Sequence, residues 1–236
     1  MQIIYWLSVK ALKLNCPKKT KKRVLYLPNG VDTKSFSINL SSETEQETIL
    51  NKHCIPGNKK LVGFVGHNII EFKIEDLLKC AEYINSDSHI LIIGGGFNSF
   101  SKEYKKSNIT FTGPISHEDA IKLVKLIKIC VIPYNTEWWP SNIYDYYRAR
   151  KTFEYLAAGK PIVIADVKGR ENILKVNENV LLYEPSNYRE LANKINFLLE
   201  NEDIAIKMGE NNKKLAENFD WEQLLVNSGL IEVLEE

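Results

Sequence analysis

The chain is poor in the residues that usually announce a chemistry. Among 236 residues there are only four cysteines, Cys16, Cys54, Cys80 and Cys130, with no C-x-x-C pair and no histidine at zinc-finger spacing. That pattern argues against a disulfide scaffold or a structural zinc and for free thiols in a reducing compartment. No two aspartates are separated by a single position, so no D-x-D pair is present to hold a divalent cation against a diphosphate. No apolar run reaches the ~18 residues that a membrane span needs. Residues 1–14 lack a cationic flank ahead of their apolar residues and carry Lys10 and Lys13, which makes a poor signal peptide. An excess of one charge is missing too: 31 Lys and Arg face 30 Asp and Glu, so no whole-chain argument for nucleic-acid binding follows. What is present is an ordinary globular composition, 44% hydrophobic and 26% charged, at a length suited to one large α/β domain or two small ones.

The pattern along the chain is an alternation. Residues 1–16 alternate weakly around Tyr5-Trp6-Leu7-Ser8, and Pro17 closes that stretch. The basic run Lys18, Lys19, Lys21, Lys22 and Arg23 reads either as a solvated loop or as an electrostatic foot on an anionic membrane. A short strand is expected at Val24–Leu27, ending in the turn Pro28-Asn29-Gly30. Residues 37–52, rich in Ser, Thr and Glu, read as a surface connection with at most one helical turn. From residue 61 to about 200 short apolar runs alternate with segments of helical period. Strands are expected at 61–65, 90–93, 109–111, 129–133, 162–165 and 179–183. Helices are expected at 74–84, 116–127, 153–158, 191–199, 204–219 and 221–234. This predicts a Rossmann-like, doubly wound parallel sheet with C-terminal helices, a fold that takes ligands at the carboxyl ends of its strands.

Several residues at those ends could carry chemistry. Gly94-x-Gly96-x-x-Ser99 approaches the dinucleotide fingerprint, but a weak helix follows it, so the glycines read better as a turn that lets backbone approach some other ligand. His67, in Gly66-His67-Asn68, is a candidate site residue and general base, whereas His53, His89 and His117 read as surface or capping residues. A ligand diphosphate held without metal needs Lys, Arg or helix N-termini, and Lys151 and Lys73 are the candidates. For Lys73 the alternative is a solvated helix start. Glu154, early in a short helix that Gly159 and Pro161 terminate, either complements the helix dipole or accepts from a ligand. The aromatics between Tyr134 and Arg150 either pack, stack on a sugar ring, or form an interfacial belt with Arg148 and Arg150.

Taken in order, Leu27-Pro28-Asn29-Gly30-Val31-Asp32, Gly63-Phe64-Val65-Gly66, Leu91-Ile92-Ile93-Gly94-Gly95-Gly96, Ile109-Thr110-Phe111-Thr112-Gly113-Pro114, Lys151-x-x-Glu154-Tyr-Leu-Ala-Ala-Gly-Lys-Pro and Phe219-Asp220-Trp221 resemble the donor-binding half of GT-B fold glycosyltransferases of family 4, the group 1 type. The resemblance covers residues 24–235. It implies a retaining, metal-independent transfer of a sugar from a UDP- or GDP-sugar, in cell-envelope or capsular polysaccharide assembly at the cytoplasmic side of a membrane. No cofactor is implied beyond the nucleotide-sugar substrate. Gly66, Gly94 and Gly95 would lie near the diphosphate, with Lys151 and Lys73 as its cations. Pro114 and Ile115 would hold the base, Glu154 the ribose, and Tyr134 and Asn142 would complete the donor site. Glu154, Lys151 and His67 are the catalytic candidates. The chain departs from the family at two points. Tyr146 stands where many members carry a second Glu, with Glu137 the nearest upstream Glu, and His67 stands where an Arg is frequent. The resemblance also implies that residues 1–23 are the end of an N-terminal domain and hinge, with 24–236 the nucleotide-sugar-binding domain. A separate N-terminal, acceptor-binding subunit and peripheral membrane contact are the partners this suggests. A binding subunit without transfer activity, an inactive remnant, and an epimerase of the same fold are the other readings.

Overall fold

The computed structural model describes residues 5–7, 24–37, 40, 42–104, 106–137, 150–167 and 170–235. The basic run at 18–23, the aromatic stretch 138–149 and, with it, Asn142 and Tyr146 lie outside the described residues.

Six strands form one sheet: β3 (Lys60–Val65), β4 (Ser88–Ile93), β5 (Ile109–Phe111), β6 (Ile129–Ile132), β7 (Ile162–Ala165) and β8 (Val180–Tyr183). Their order is β5-β4-β3-β6-β7-β8 and every pairing is parallel. The predicted doubly wound α/β sheet is therefore the one observed. The strands are apolar throughout because helices cover both faces; every residue of β4, β6 and β7 is buried. The strand order reverses between β3 and β6, which opens a crevice at the carboxyl ends of those two strands. Two further strands, β1 (Tyr5–Leu7) and β2 (Val24–Tyr26), pair in parallel outside this sheet.

The helices are α1 (Glu43–Lys52), α2 (Ile74–Cys80), α3 (Asn98–Glu103), α4 (His117–Leu126), α5 (Arg150–Ala157), α6 (Tyr188–Glu200), α7 (Glu202–Glu217), α8 (Trp221–Asn227) and α9 (Leu230–Glu235). Three depart from expectation. The stretch expected as a surface connection contains the full helix α1. Ser42 caps it by accepting from the Glu45 amide at 3.1 Å, and its apolar Ile49 and Leu50 are buried where it packs on α4. Polar composition hid a helix whose buried face is only two residues wide. Helix α2 stops at Cys80 rather than 84, with the Tyr83 and Ile84 amides turning back to the Cys80 carbonyl. The last expected helix is broken at Ser228-Gly229 into α8 and α9, and Ser228 Oγ accepts from the Leu230 amide at 3.2 Å.

The Phe219-Asp220-Trp221 motif has a structural role. The Asp220 carboxylate caps α8 through the Glu222 amide at 3.0 Å and accepts from Thr33 Oγ1 at 2.6 Å. Val31 donates to the Phe219 carbonyl at 2.9 Å. The motif thus ties the segment that enters the domain to the segment that ends it.

Of the histidines expected as surface or capping residues, His53 is the C-cap of α1, whereas His89 is buried in β4. His53 Nε2 lies 3.0 Å from the Asp119 carboxylate, which also holds Lys52 at 2.7 Å. Asp119 stands three residues after Ser116, the spacing of a capping box. Its amide does donate to Ser116 Oγ at 3.1 Å, but its carboxylate serves the neighbouring helix end. His89 is 3% exposed, with Nε2 2.8 Å from Thr110 Oγ1. Burial, with a smaller push from Lys59, lowers its pKa to about 4. The unfolded chain then binds more protons than the folded one as pH falls from 6.5, the ordinary value, to about 4, so stability is lost across that window. A loss of about 2 kcal/mol, discounted for residual solvent, is expected. Chemical denaturation at pH 6.5 and pH 4 checks it, and the His89→Gln variant should show a smaller difference between the two.

Candidate donor-binding site

The site is built where three strand ends meet. After β3 the chain turns at Gly66, whose amide donates to the Ile93 carbonyl at 2.9 Å. After β4 it turns at Gly94, and a Cβ there would come within 1.9 Å of the Gly66 carbonyl oxygen. The two turns are thus in backbone contact, and Gly94 has φ +123, where side chains are strained. The Asn68 amide donates to the Gly95 carbonyl at 3.1 Å, and its side chain to the Gly96 carbonyl at 3.2 Å. On the other side, the Gly94 amide donates to Thr112 Oγ1 at 3.3 Å. A Cβ on Gly95 would meet Pro114 at 3.3 Å and His67 Nδ1 at 3.4 Å. Gly66, His67, Gly94, Gly95 and Pro114, drawn from three separate turns, therefore sit side by side. His67 is exposed. The Ile115 side chain packs against the core.

Helix α5 enters from the β6 side. Tyr155 is fully buried, and its hydroxyl accepts from the Val65 amide, the last of β3, at 2.7 Å. This bond fastens the helix to the strand end. Lys151, four residues earlier and so on the same helix face, is carried to the underside of the Gly66 turn. A Cβ on Gly66 would lie 2.9 Å from Lys151 Nζ. The ammonium lies over two rings, 3.3 Å from the centroid of Phe72 and 4.6 Å from that of Phe64. Among the described residues it has no hydrogen bond or ion pair. Burial pushes its pKa down to about 7, against the weaker pull of Glu154 and Glu71. Glu154, half-buried, is one residue before Tyr155, and its carboxylate has no hydrogen-bond partner among the described residues. A desolvated ammonium beneath a glycine turn, with no ion pair among the described residues, would gain from an anion placed there, and the Glu154 carboxylate one turn along the helix could accept from hydroxyls.

Loss of the Tyr155 bond should be felt at both levels. Tyr155→Phe leaves the half-buried Val65 amide without this partner, a cost of about 1–3 kcal/mol, and loosens Lys151. Denaturation midpoints and ligand titration of the same variant check the two effects.

The remaining predicted residues are placed differently. Tyr134 is 2% exposed and its ring stacks on Phe72 at 5.4 Å. Lys73 is engaged by its neighbours: Nζ pairs with Glu137 at 2.5 Å and hydrogen-bonds Ser186 Oγ at 2.8 Å. Glu137 is thus engaged by a lysine at the crevice edge. The aromatic bed of Phe64 and Phe72 and the anchoring role of Tyr155 are additions that sequence reading missed. Tyr155 had a signal, its fixed spacing from Lys151; the two phenylalanines, on a strand and in a loop, had none.

The family model for glycosyl transferases group 1 matches residues 45–215, well over half of the chain. The chain belongs to this family. Its relatives include the uncharacterized glycosyltransferase MJ1178 of Methanocaldococcus jannaschii, 25% identical over 232 residues that cover 96% of this chain and 58% of the relative. The capsular polysaccharide biosynthesis glycosyltransferase CapM of Staphylococcus aureus is 23% identical over 92% of this chain and 58% of its own length. This group 1 chain therefore spans less than two thirds of the curated relatives it matches. Among solved structures, the Anabaena protein Alr3699/HepE in complex with UDP-glucose superposes with a TM-score of 0.73 at 18% identity, over 98% of this chain and 63% of that one; a likeness at this identity shows the shared fold. Among the described residues of the group 1 chain, no helix is long and apolar enough to cross a membrane.

Proposed function

We propose that the chain is the donor-binding half of a glycosyltransferase that moves a sugar from a nucleoside-diphosphate sugar to a polysaccharide or lipid-linked acceptor. One observation carries this reading: Lys151, desolvated and without a counter-ion among the described residues, lies under the Gly66 turn at the crevice where the strand order reverses. In this reading the diphosphate lies over the Gly66 and Gly94 turns with Lys151 beneath it. Glu154 accepts from the ribose hydroxyls, and the backbone at Pro114 and Ile115 meets the base. Departure of the nucleoside diphosphate builds negative charge, and a preorganised cation in a water-poor site stabilises that charge more in the transition state than in the ground state. Lys151 supplies the role that a metal held by a D-x-D pair would otherwise fill, and the reaction proceeds with retention. Capsular and other polysaccharide transferases among the relatives support an acceptor of that class. The acceptor site is contributed by a part beyond the fold described above, at the membrane surface where such acceptors are assembled.

Calorimetric titration with UDP and GDP tests the reading. Wild type should bind one of them, and Glu154→Ala should bind it about 10- to 100-fold more weakly, the worth of hydrogen bonds to a charged group. Absence of binding to wild type by both nucleotides would sink it. A second reading, nucleotide-sugar binding without transfer, is favoured by Tyr146 at the position of the family's second Glu; sugar transfer by the chain to any acceptor excludes it.

A further inference from the structure

A second cavity lies at the opposite end of the sheet, where the strands begin. It has a volume of about 230 Å³. Its lining has two parts. Lys60, Lys128 and Lys160 stand at the starts of β3, β6 and β7, and Ile127, Leu198 and Ile206 form an apolar wall from the ends of α4 and α6 and the first turns of α7. We propose that this cavity binds an organic phosphate, with the phosphoryl group on the lysines and a short apolar substituent along the wall.

The charges do not balance locally. Lys60 has a partner, Asp87 at 3.2 Å. Among the described residues Lys128 has no ion pair. Among the described residues Lys160 Nζ hydrogen-bonds only the Lys125 carbonyl, at 2.6 Å. The cavity is lined by one carboxylate, Glu202. Burial is the main cause that lowers the Lys160 pKa, to about 8, and the nearby Lys125 and Lys128 add to it. A cation already removed from water and lacking a counter-charge gains more from an arriving anion than a solvated one does. A neutral or cationic ligand would leave that deficit in place.

The cavity is also preformed. The Lys128 amide donates to the Leu61 carbonyl at 2.8 Å, which fixes the β6 start against β3. Asn212, fully buried on α7, donates to the Lys160 carbonyl at 2.7 Å. Gly209 of α7 packs so closely that a Cβ would come within 2.3 Å of the Gly159 carbonyl oxygen. The helix that walls the cavity is thus held on the turn that carries Lys160. Ile206, 56% exposed, continues the apolar wall out to the mouth. An apolar-walled pocket with a few convergent polar groups is the usual form of a small-molecule site, and here three lysines outnumber the one carboxylate, Glu202, in the lining.

The test is an amide-resolved NMR titration of the chain with octyl phosphate, with inorganic phosphate and 1-octanol as half-ligands. Saturable shifts at Leu198, Leu199 and Ala205 are expected, with at least tenfold weaker affinity in Lys160→Met and in the surface variant Lys128→Glu. Inorganic phosphate and 1-octanol should each bind at least tenfold more weakly than octyl phosphate. UDP affinity should be unchanged in both variants, because the donor crevice is at the other end of the sheet. Failure of every form of the chain to bind UDP would therefore count against the donor reading and leave this one standing. Shifts confined to the Gly66–Gly96 turns, an equal response to 1-octanol, or an undiminished affinity in Lys128→Glu overturns the proposal. Co-sedimentation with phosphatidylglycerol but not phosphatidylcholine vesicles, abolished by Lys128→Glu, assigns the phosphate to a lipid headgroup; octyl phosphate binding without sedimentation assigns it to a soluble compound.

Discussion

Lys151→Met should weaken UDP binding about a hundredfold and at the same time make the protein more stable. The two effects share one cause. Lys151 is 9% exposed and its pKa is lowered from 10.5 to about 7 by burial. Between those two values the unfolded chain holds a proton that the folded chain has released, so stability rises with pH across that window and is lowest below it. The penalty at pH 7 is about 4 kcal/mol if the whole difference is expressed. Methionine keeps the apolar stem between Phe64 and Phe72 and loses the ammonium. After subtraction of the lost ring contacts, a net gain of about 2 kcal/mol is expected, or about 4–8 °C in Tm for a domain of this size. The gain should shrink as pH approaches 10.5. Binding moves in the opposite direction: a buried charge-assisted contact to a diphosphate is lost, which costs about a hundredfold in affinity. Calorimetry in buffers of different ionisation enthalpy gives a further readout. The diphosphate should draw a proton onto Lys151, close to one per UDP at pH 8, where the phosphate itself is already ionised. Affinity should fall as pH rises above 7, and Glu154 and Glu71, the carboxylates that act on Lys151, should add to proton retention. A variant that binds UDP normally, or that melts at or below the wild-type temperature, would remove Lys151 from the site.

Gly94→Ala should be the most damaging single methyl in the chain. The added carbon would sit 1.9 Å from the Gly66 carbonyl oxygen, a backbone atom that no side-chain rotation can move. It would also force alanine to φ +123. The β3 and β4 turns would have to separate, breaking the Gly66 amide bond to the Ile93 carbonyl. We expect a destabilisation of about 3–5 kcal/mol, the sum of a strained backbone and a lost buried hydrogen bond. UDP binding should be lost even in the fraction that folds. Gly113→Ala is the control. Gly113 also has a positive φ, +68, but an added Cβ meets nothing within 4 Å, so the conformational cost of about 1 kcal/mol stands alone. Urea denaturation of the pair separates the steric term from the backbone term. Equal midpoints would show that the turns are not in fixed contact.

Much of this was legible in advance, and for local reasons. The strands at 109–111 and 162–165 fall where apolar β-branched runs place them, because a strand covered on both faces needs only a short uniform sequence. The stop at Gly159-Lys160-Pro161 follows from backbone chemistry alone. The helix at 43–52 was missed because burial of Ile49 and Leu50 depends on α4, seventy residues away in sequence. His89 was misplaced for a related reason: its neighbour Thr110 belongs to the adjacent strand, and no local pattern records that pairing.

The candidate site divides in the same way. Sequence by itself determined the parallel α/β sheet, the glycine turns at its carboxyl edge and the K-x-x-E-Y spacing on one helix, since each is set within a few residues by dihedral preference and period. Tertiary structure alone decided what those residues do to one another. It brought Gly66, Gly94 and Pro114 together through parallel crossovers, tied Lys73 to Glu137 and turned Tyr134 onto Phe72. It also buried Lys151 against two rings with no ion pair among the described residues. The degree of desolvation of this lysine is a property of packing between distant segments, and only the folded chain sets it.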